Sequence, residues 1–205
     1  MDISPEIYIN DTCVEDPIEM ECFGASQMTY GGVSACSTIA TFWSAAIADG
    51  SSPDGHCLSV ARFHERMAFA CKVWRNCNAG SQSAHEVIDM VPFFTAYKVE
   101  SFALSTSQNT CGARPLLSSM LPNLLSDSRD SKGSFGAVVT AMGSSWALGF
   151  VKNEGWVVLD SHGPRAGLIR FNEITEVVNY VTRNCLGDMP CDVDVTIIWR
   201  SESPL

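Results

Sequence analysis

The spacing of apolar positions changes character once along the chain. Up to about residue 125 it is helical. From Cys36 the run Cys-Ser-Thr-Ile-Ala-Thr-Phe-Trp-Ser-Ala-Ala-Ile-Ala-Asp-Gly puts Ile39, Trp43, Ala46 and Ile47 on one stripe and stops at Gly50. That predicts a buried amphipathic helix, entered sharply after Gly31-Gly32. A second stripe, Val60, Phe63, Met67, Ala70 or Cys71, and Trp74, predicts a long helix over about residues 57–77. Two shorter patterns follow. Val87, Ile88 and Val91 precede the break at Pro92, and Leu116, Leu117, Met120, Leu121, Leu124 and Leu125 precede a polar run, Ser126–Lys132, that reads as a loop.

Beyond that run the period becomes extended. Ser134–Met142, Ser145–Lys152, Trp156–Asp160 and Leu168–Phe171 are short β-rich runs parted by Gly-Ser, Asn-Glu-Gly and Gly-Pro turns, the pattern of an antiparallel meander. A helix beginning near Asn172 turns Ile174, Val177, Val178 and Val181 inward, and a last strand, Val193–Arg200, follows. Helices first and sheet second predict an α+β fold in two lobes, with the cleft between them as the place for a site. No repeat or long linker interrupts residues 23–205, which read as a single domain. Residues 1–22 are acidic, are broken by Pro5 and Pro17, and read as a segment that lies over the surface or frays.

Composition narrows the function classes. With 205 residues, 46% hydrophobic and 18% charged, the chain can bury a full core. Its 23 acidic residues against 13 basic ones give a formal charge of -10, so the cationic face that a phosphate backbone needs is lacking and nucleic acid is not an expected partner. An acidic chain suits a basic, extended peptide instead. No apolar stretch approaches the roughly 20 residues that span a bilayer, so no membrane role is expected. Nine cysteines is an odd number, which leaves at least one thiol unpaired within the chain. The opening Met1-Asp2-Ile3-Ser4-Pro5-Glu6 has neither a basic region nor an apolar run, and a reducing compartment is expected.

The titratable residues differ in context. His56, His64 and His85 sit among Asp, Arg, Glu and Ala, the ordinary setting of surface histidines. His162 ends the run Gly-Trp-Val-Val-Leu-Asp-Ser-His-Gly-Pro-Arg, where Asp160 and His162 are two apart at a strand end. Alternation places both on one face, about 7 Å apart at the backbone, so the carboxylate can accept the Nδ1 proton and leave Nε2 free as a base. Cys36 opens a helix, where the partial positive charge of unpaired N–H groups favours a thiolate. Cys71 and Cys185 lie on or beside apolar stripes, and Cys57, Cys77, Cys111 and Cys191 also suit structural roles. A nucleophile further needs oxyanion donors. The N–H of Cys36 can be one and the Gln27 side chain another, with Ser34, Thr29 or Asn153 able to take its place.

A Cys at a helix N-terminus after a Gly-containing loop, an upstream Gln, a helical middle and a β-meander carrying a late Asp-x-His resemble a papain-like cysteine peptidase. The motifs Gly31–Ile39 and Trp156–Arg165 are most similar to the N-terminal deubiquitinating protease of herpesvirus large tegument proteins. The resemblance spans about residues 22–171. It implies Cys36 as nucleophile, His162 as general base and then acid, Asp160 as orienting carboxylate and Gln27 as oxyanion donor. It also implies ubiquitin or a ubiquitin-like modifier as partner, no cofactor and no metal, and a place in the cytoplasm or nucleus, or in a host cell and virion tegument. A zinc site finds no Cys-x-x-Cys or His-x-x-x-His pair, and a serine hydrolase finds no Gly-x-Ser-x-Gly elbow. Two other readings stay open: a transglutaminase-like or other Cys-His-Asp acyl-transfer enzyme, in which the acid usually follows the histidine, and an interaction domain that keeps a peptidase-like fold without turnover.

Overall fold

In the computed structural model, residues 19–22, 26–50, 60–77, 80–104, 113–162, 166–186 and 192–200 are described. Helix α1 (Cys36–Ala48) carries no Asp, Glu, Lys or Arg, and all 13 of its residues are buried. The expected stripe of Ile39, Trp43, Ala46 and Ile47 is therefore only part of its buried surface, because the sheet lies on one side and further helices on the other. Helices α2 (Val60–Asn76) and α3 (Ala84–Met90) pack on α1. Phe63, Met67, Ala70, Cys71 and Trp74 of α2 are buried at the expected helical spacing. Residues 57–59 of the expected helix lie outside the described residues.

The strands are β1 (Glu19–Cys22), β2 (Tyr97–Leu104), β3 (Phe135–Ala141), β4 (Ser144–Val151), β5 (Gly155–Asp160), β6 (Gly167–Phe171) and β7 (Val193–Arg200). They form one antiparallel sheet in the order β1-β6-β5-β4-β3-β7-β2. The meander β3 to β6 and the last strand are as expected. The part of the N-terminal segment that is described, residues 19–22, is an edge strand paired to β6, and residues 1–18 lie outside the described residues.

One expectation is corrected. The polar run Ser126–Lys132 is not a loop but the second half of helix α4 (Ala113–Lys132). Leu121, Leu125 and Ser128 share one buried face, so the helix continues where a serine replaces an apolar residue on the stripe. Helices α1 to α3 pack on the antiparallel sheet as expected, with the late helix and the last strand in place, and α4 and α5 (Ile174–Val181) cover the other face. Val138, Ala147, Val157 and Leu159 join the core under α1 to α3, whereas Ala137, Val139, Leu148 and Val158 join a second core under α4 and α5. Strand alternation sends neighbours to opposite faces, and helices cover both.

Glycines let α1 approach the sheet. Gly136 and Gly149 are cross-strand partners on β3 and β4. A Cβ on Gly136 would lie 2.0 Å from the Ser44 backbone oxygen, and one on Gly149 would lie 2.8 Å from Ile47 Cγ2. We predict that Gly136→Ala destabilises the protein by about 3 kcal/mol or more through overpacking against backbone. Gly133→Ala, at φ 71 with nothing within 4 Å of a new Cβ, should cost only about 1 kcal/mol. Urea unfolding midpoints of the two variants check this ordering, and equal midpoints would show that α1 can retreat from the sheet.

Candidate active site

The segment before α1 is built to hold Cys36 in place. Gln27–Tyr30 is a single 3-10 turn, and Gly31 closes it at φ 72, a left-handed conformation that favours glycine. The Gly32 N–H donates to the Gln27 carbonyl at 2.9 Å. A Cβ on Gly32 would stand 2.7 Å from Cys71 Sγ, so the turn is pressed against α2. The residue before Cys36, Ala35, offers no side-chain cap to the first N–H groups of α1. Those donors remain for an anion at the helix start.

The histidine side is built by a turn. Strand β5 ends at Asp160, and Ser161 and His162 lie just beyond it. Asp160 Oδ1 accepts both from the His162 backbone N–H and from its Nδ1, each at 2.8 Å. Strand alternation was expected to align the pair, but a side-chain turn closed on the aspartate does so. The two halves of the site are joined by one backbone hydrogen bond, from Gln27 N–H to the Ser161 carbonyl at 3.0 Å. Trp146 of β4 lies against the His162 ring, with centroids 5.5 Å apart.

Cys36 and His162 meet electrostatically. Cys36 is 7% exposed, and burial alone would push its thiol up. Hydrogen bonding with His162, backbone N–H groups of Ser145 and Ser37, and the histidine's charge outweigh burial and hold the thiol below its ordinary value of 9.0. Burial likewise opposes a charged His162, yet Asp160 and the Cys36 sulfur carry its pKa up to about 9. The two shifts run in the directions that favour a thiolate and imidazolium pair. His162 Nε2 is buried and, apart from its interaction with the Cys36 sulfur, has no hydrogen-bond partner among the described residues. Cys71, also buried, shifts the opposite way: burial dominates and its thiol is raised.

Of the sequence-proposed residues, the structure brings together Cys36, His162 and Asp160, and ties Gln27 to the same place through Ser161. Gln27 is buried, and its side-chain Oε1 accepts no hydrogen bond among the described residues. The proposed substitutes are exposed: Ser34 and Thr29 on the loop, and Asn153 in the β4–β5 turn. His64 Nδ1 is bonded to the Tyr30 hydroxyl and His85 Nε2 to Ser101 Oγ, while His56 lies outside the described residues. Cys57, Cys111, Cys191 and the Cys185 side chain also lie outside them.

The β3–β4 hairpin was not anticipated as part of the site. Met142 and Gly143 both have positive φ, and the Gly143 carbonyl faces Cys36 Sγ at 4.0 Å. Behind it, Ser145 Oγ is bonded to Ser37 Oγ and to Thr140 Oγ1, each at 2.8 Å. These hydroxyls tie the first turn of α1 to the hairpin. The Met-Gly-Ser-Ser turn signals a hairpin, but its approach to Cys36 depends on long-range packing.

The described residues have a papain-like fold, with the candidate site at the start of α1 and the end of β5. A solved structure with this fold is the ubiquitin-specific protease encoded by murine cytomegalovirus tegument protein M48, in complex with a ubiquitin-based suicide substrate. It superposes with a TM-score of 0.58 at 13% sequence identity, over 88% of this chain and 86% of that one. No protein-family model and no curated protein matches the sequence. Among the described residues no helix is long and apolar enough to cross a membrane, and no three His, Cys, Asp or Glu side chains are grouped to hold a metal ion.

The ion pair sets the pH dependence of thiol chemistry. Alkylation of Cys36 by iodoacetamide should rise at a pH below that of an ordinary thiol, and its upper inflection should fall near pH 9, where His162 loses its proton. In His162→Ala the histidine's hydrogen bond and charge are lost and only the backbone N–H groups of Ser145 and Ser37 still oppose burial, so the thiol inflection should move up from its wild-type position. Rate against pH, followed by mass spectrometry of the Cys36 peptide, checks both limbs; an unshifted inflection in the variant would show that the two groups are uncoupled.

Proposed function

We propose that this chain is a thiol-dependent deubiquitinase that hydrolyses the bond after the C-terminal glycine of ubiquitin or a ubiquitin-like modifier. The observation that carries the proposal is a thiol held below, and an imidazole held above, their ordinary pKa values at the uncapped start of a helix. The shared fold with a viral protease crystallised on a ubiquitin-based suicide substrate supports the substrate class.

In this reading the Cys36 thiolate attacks the glycine carbonyl carbon, and the C=O electron pair moves onto oxygen. The Cys36 N–H and the Gln27 side-chain amide donate to that oxyanion. The His162 imidazolium gives its Nε2 proton to the leaving amine as the C–N bond breaks, leaving a thioester on Cys36. His162, now neutral, takes a proton from water, whose oxygen attacks the thioester; the intermediate expels the Cys36 thiolate, and the released glycine carboxyl gives its remaining proton to solvent. Asp160 holds the Nδ1–H tautomer throughout. The cycle balances with peptide and water alone. It needs a reduced Cys36, which fits the cytoplasm or nucleus.

A ubiquitin probe bearing a C-terminal electrophile should form a covalent adduct with the wild-type protein and none with Cys36→Ala. His162→Ala should lower kcat/KM on a ubiquitin C-terminal amide by about 10⁴-fold, Asp160→Asn by less, and Gln27→Ala by about 10- to 10³-fold, mainly in kcat. Failure to label the wild type, or equal labelling of Cys36→Ala, would remove the proposal. Larger losses in His64→Ala or His85→Ala than in His162→Ala would reassign the base.

A further inference from the structure

Helix α2 departs from the rest of the chain in charge. It carries Arg62, Arg66, Lys72 and Arg75 against Glu65, four positive and one negative, or +3 within a chain of formal charge -10. On this helix Phe69 is 53% exposed, and across a notch Phe93 is 48% exposed. Aromatic residues of that size are rarely left in water without a partner. The notch holds about 260 Å³ and is lined by Phe42, Arg66, Phe69 and Phe93. Phe42 forms its floor: its ring meets Phe69 edge-on at 5.2 Å and Phe93 nearly parallel at 6.1 Å. The Arg66 guanidinium stands over the Trp43 ring at 5.6 Å, and its buried Nε has no acceptor among the described residues.

This notch is not the Cys36 cleft. Phe42 follows Cys36 by six residues on α1, which is about 9 Å along the axis and roughly a third of a turn around it. The two side chains therefore leave α1 in different directions. The volume lies below the roughly 300 Å³ at which pockets for drug-sized ligands begin, and suits one bulky side chain. Three aromatic rings call for an apolar group, and the Arg66 guanidinium on a helix of charge +3 calls for an anion beside it.

We propose that the notch formed by Phe42, Phe69, Phe93 and Arg66 docks a partner protein through a short acidic segment, seating one aromatic side chain between the phenylalanines with an adjacent carboxylate at Arg66. The site operates apart from Cys36 chemistry.

The test is titration of ¹⁵N-labelled protein with acetyl-Ser-Asp-Phe-Ser-amide, followed by amide chemical shifts. Saturable shifts are expected around residues 66–70 and 92–94, weakened by added salt. The analogue with Asn in place of Asp, and the variant Arg66→Gln, should each bind at least about threefold more weakly. Phe69→Ala and Phe93→Ala should abolish the shifts while keeping the native spectrum, since both side chains are half exposed. Equal binding of the Asn analogue, undiminished binding by Arg66→Gln, or shifts elsewhere would overturn the proposal. So would a concentration-dependent dimer in sedimentation that Phe69→Ala dissolves, because the occupant would then be a second copy of this chain.

Discussion

Helix α1 can lie against the sheet only where the strands present no side chain, and the cross-strand pair Gly136 and Gly149 supplies that place. The other arrangements follow from this contact. A helix seated on backbone cannot slide without meeting the Cβ of a flanking residue, so its register along β3 and β4 is set. Its first turn is then pinned to the β3–β4 hairpin by the Ser37, Ser145 and Thr140 hydroxyls. The hairpin's own partner on the other side is β5, whose end carries Asp160 and His162. Positioning of the thiol and the imidazole thus comes from one rigid stack of strands and helix, with the Gln27 to Ser161 hydrogen bond closing the loop between them.

Burial works against the charges at this site, and the geometry has to overcome it. For both Cys36 and His162 desolvation is the largest single influence, and for both it opposes the charged form. Each group's charged form is favoured by the other, by Asp160 on the histidine and by backbone N–H groups on the thiol. Cys71 is the internal control. It is as buried as Cys36 and also near a cation, Arg75, yet with no such set of donors its thiol moves up. A buried cysteine is inert by default, and the helix start with its histidine is what separates one thiol from the rest.

How far such features show in sequence depends on whether they are local. The spacing of Ile39, Trp43, Ala46 and Ile47, and the alternation through Trp156–Asp160, are each set within one element, and both elements formed as expected. Strand β2 was missed because only its ends, Tyr97 and Leu104, are buried, so as an edge strand it shows no alternation. The second half of α4 was missed because Ser128 takes an apolar position. The insertion of β7 between β3 and β2 joins segments far apart in sequence, which no local pattern encodes. At the site, the residue types and the two-residue spacing of Asp160 and His162 were legible, whereas the turn that aligns them and the approach of Gly143 were not.

Net charge is a poor guide to the surfaces of this molecule. A value of -10 argues against a phosphate backbone as partner and is compatible with a basic peptide approaching the molecule as a whole. Yet the charge is unevenly spread: α1 carries none of it, and α2 is positive by three, which leaves -13 for the remainder. The separation has a structural origin. Because α1 is enclosed on all sides it can hold no unpaired charge, and the helix that covers it from outside is the first that can face water. Salt screens fields beyond about 8–10 Å, so a partner at α2 senses that helix more than the distant acidic surface. Two partners of opposite charge can therefore approach this chain, each governed by the few residues within a Debye length of where it lands.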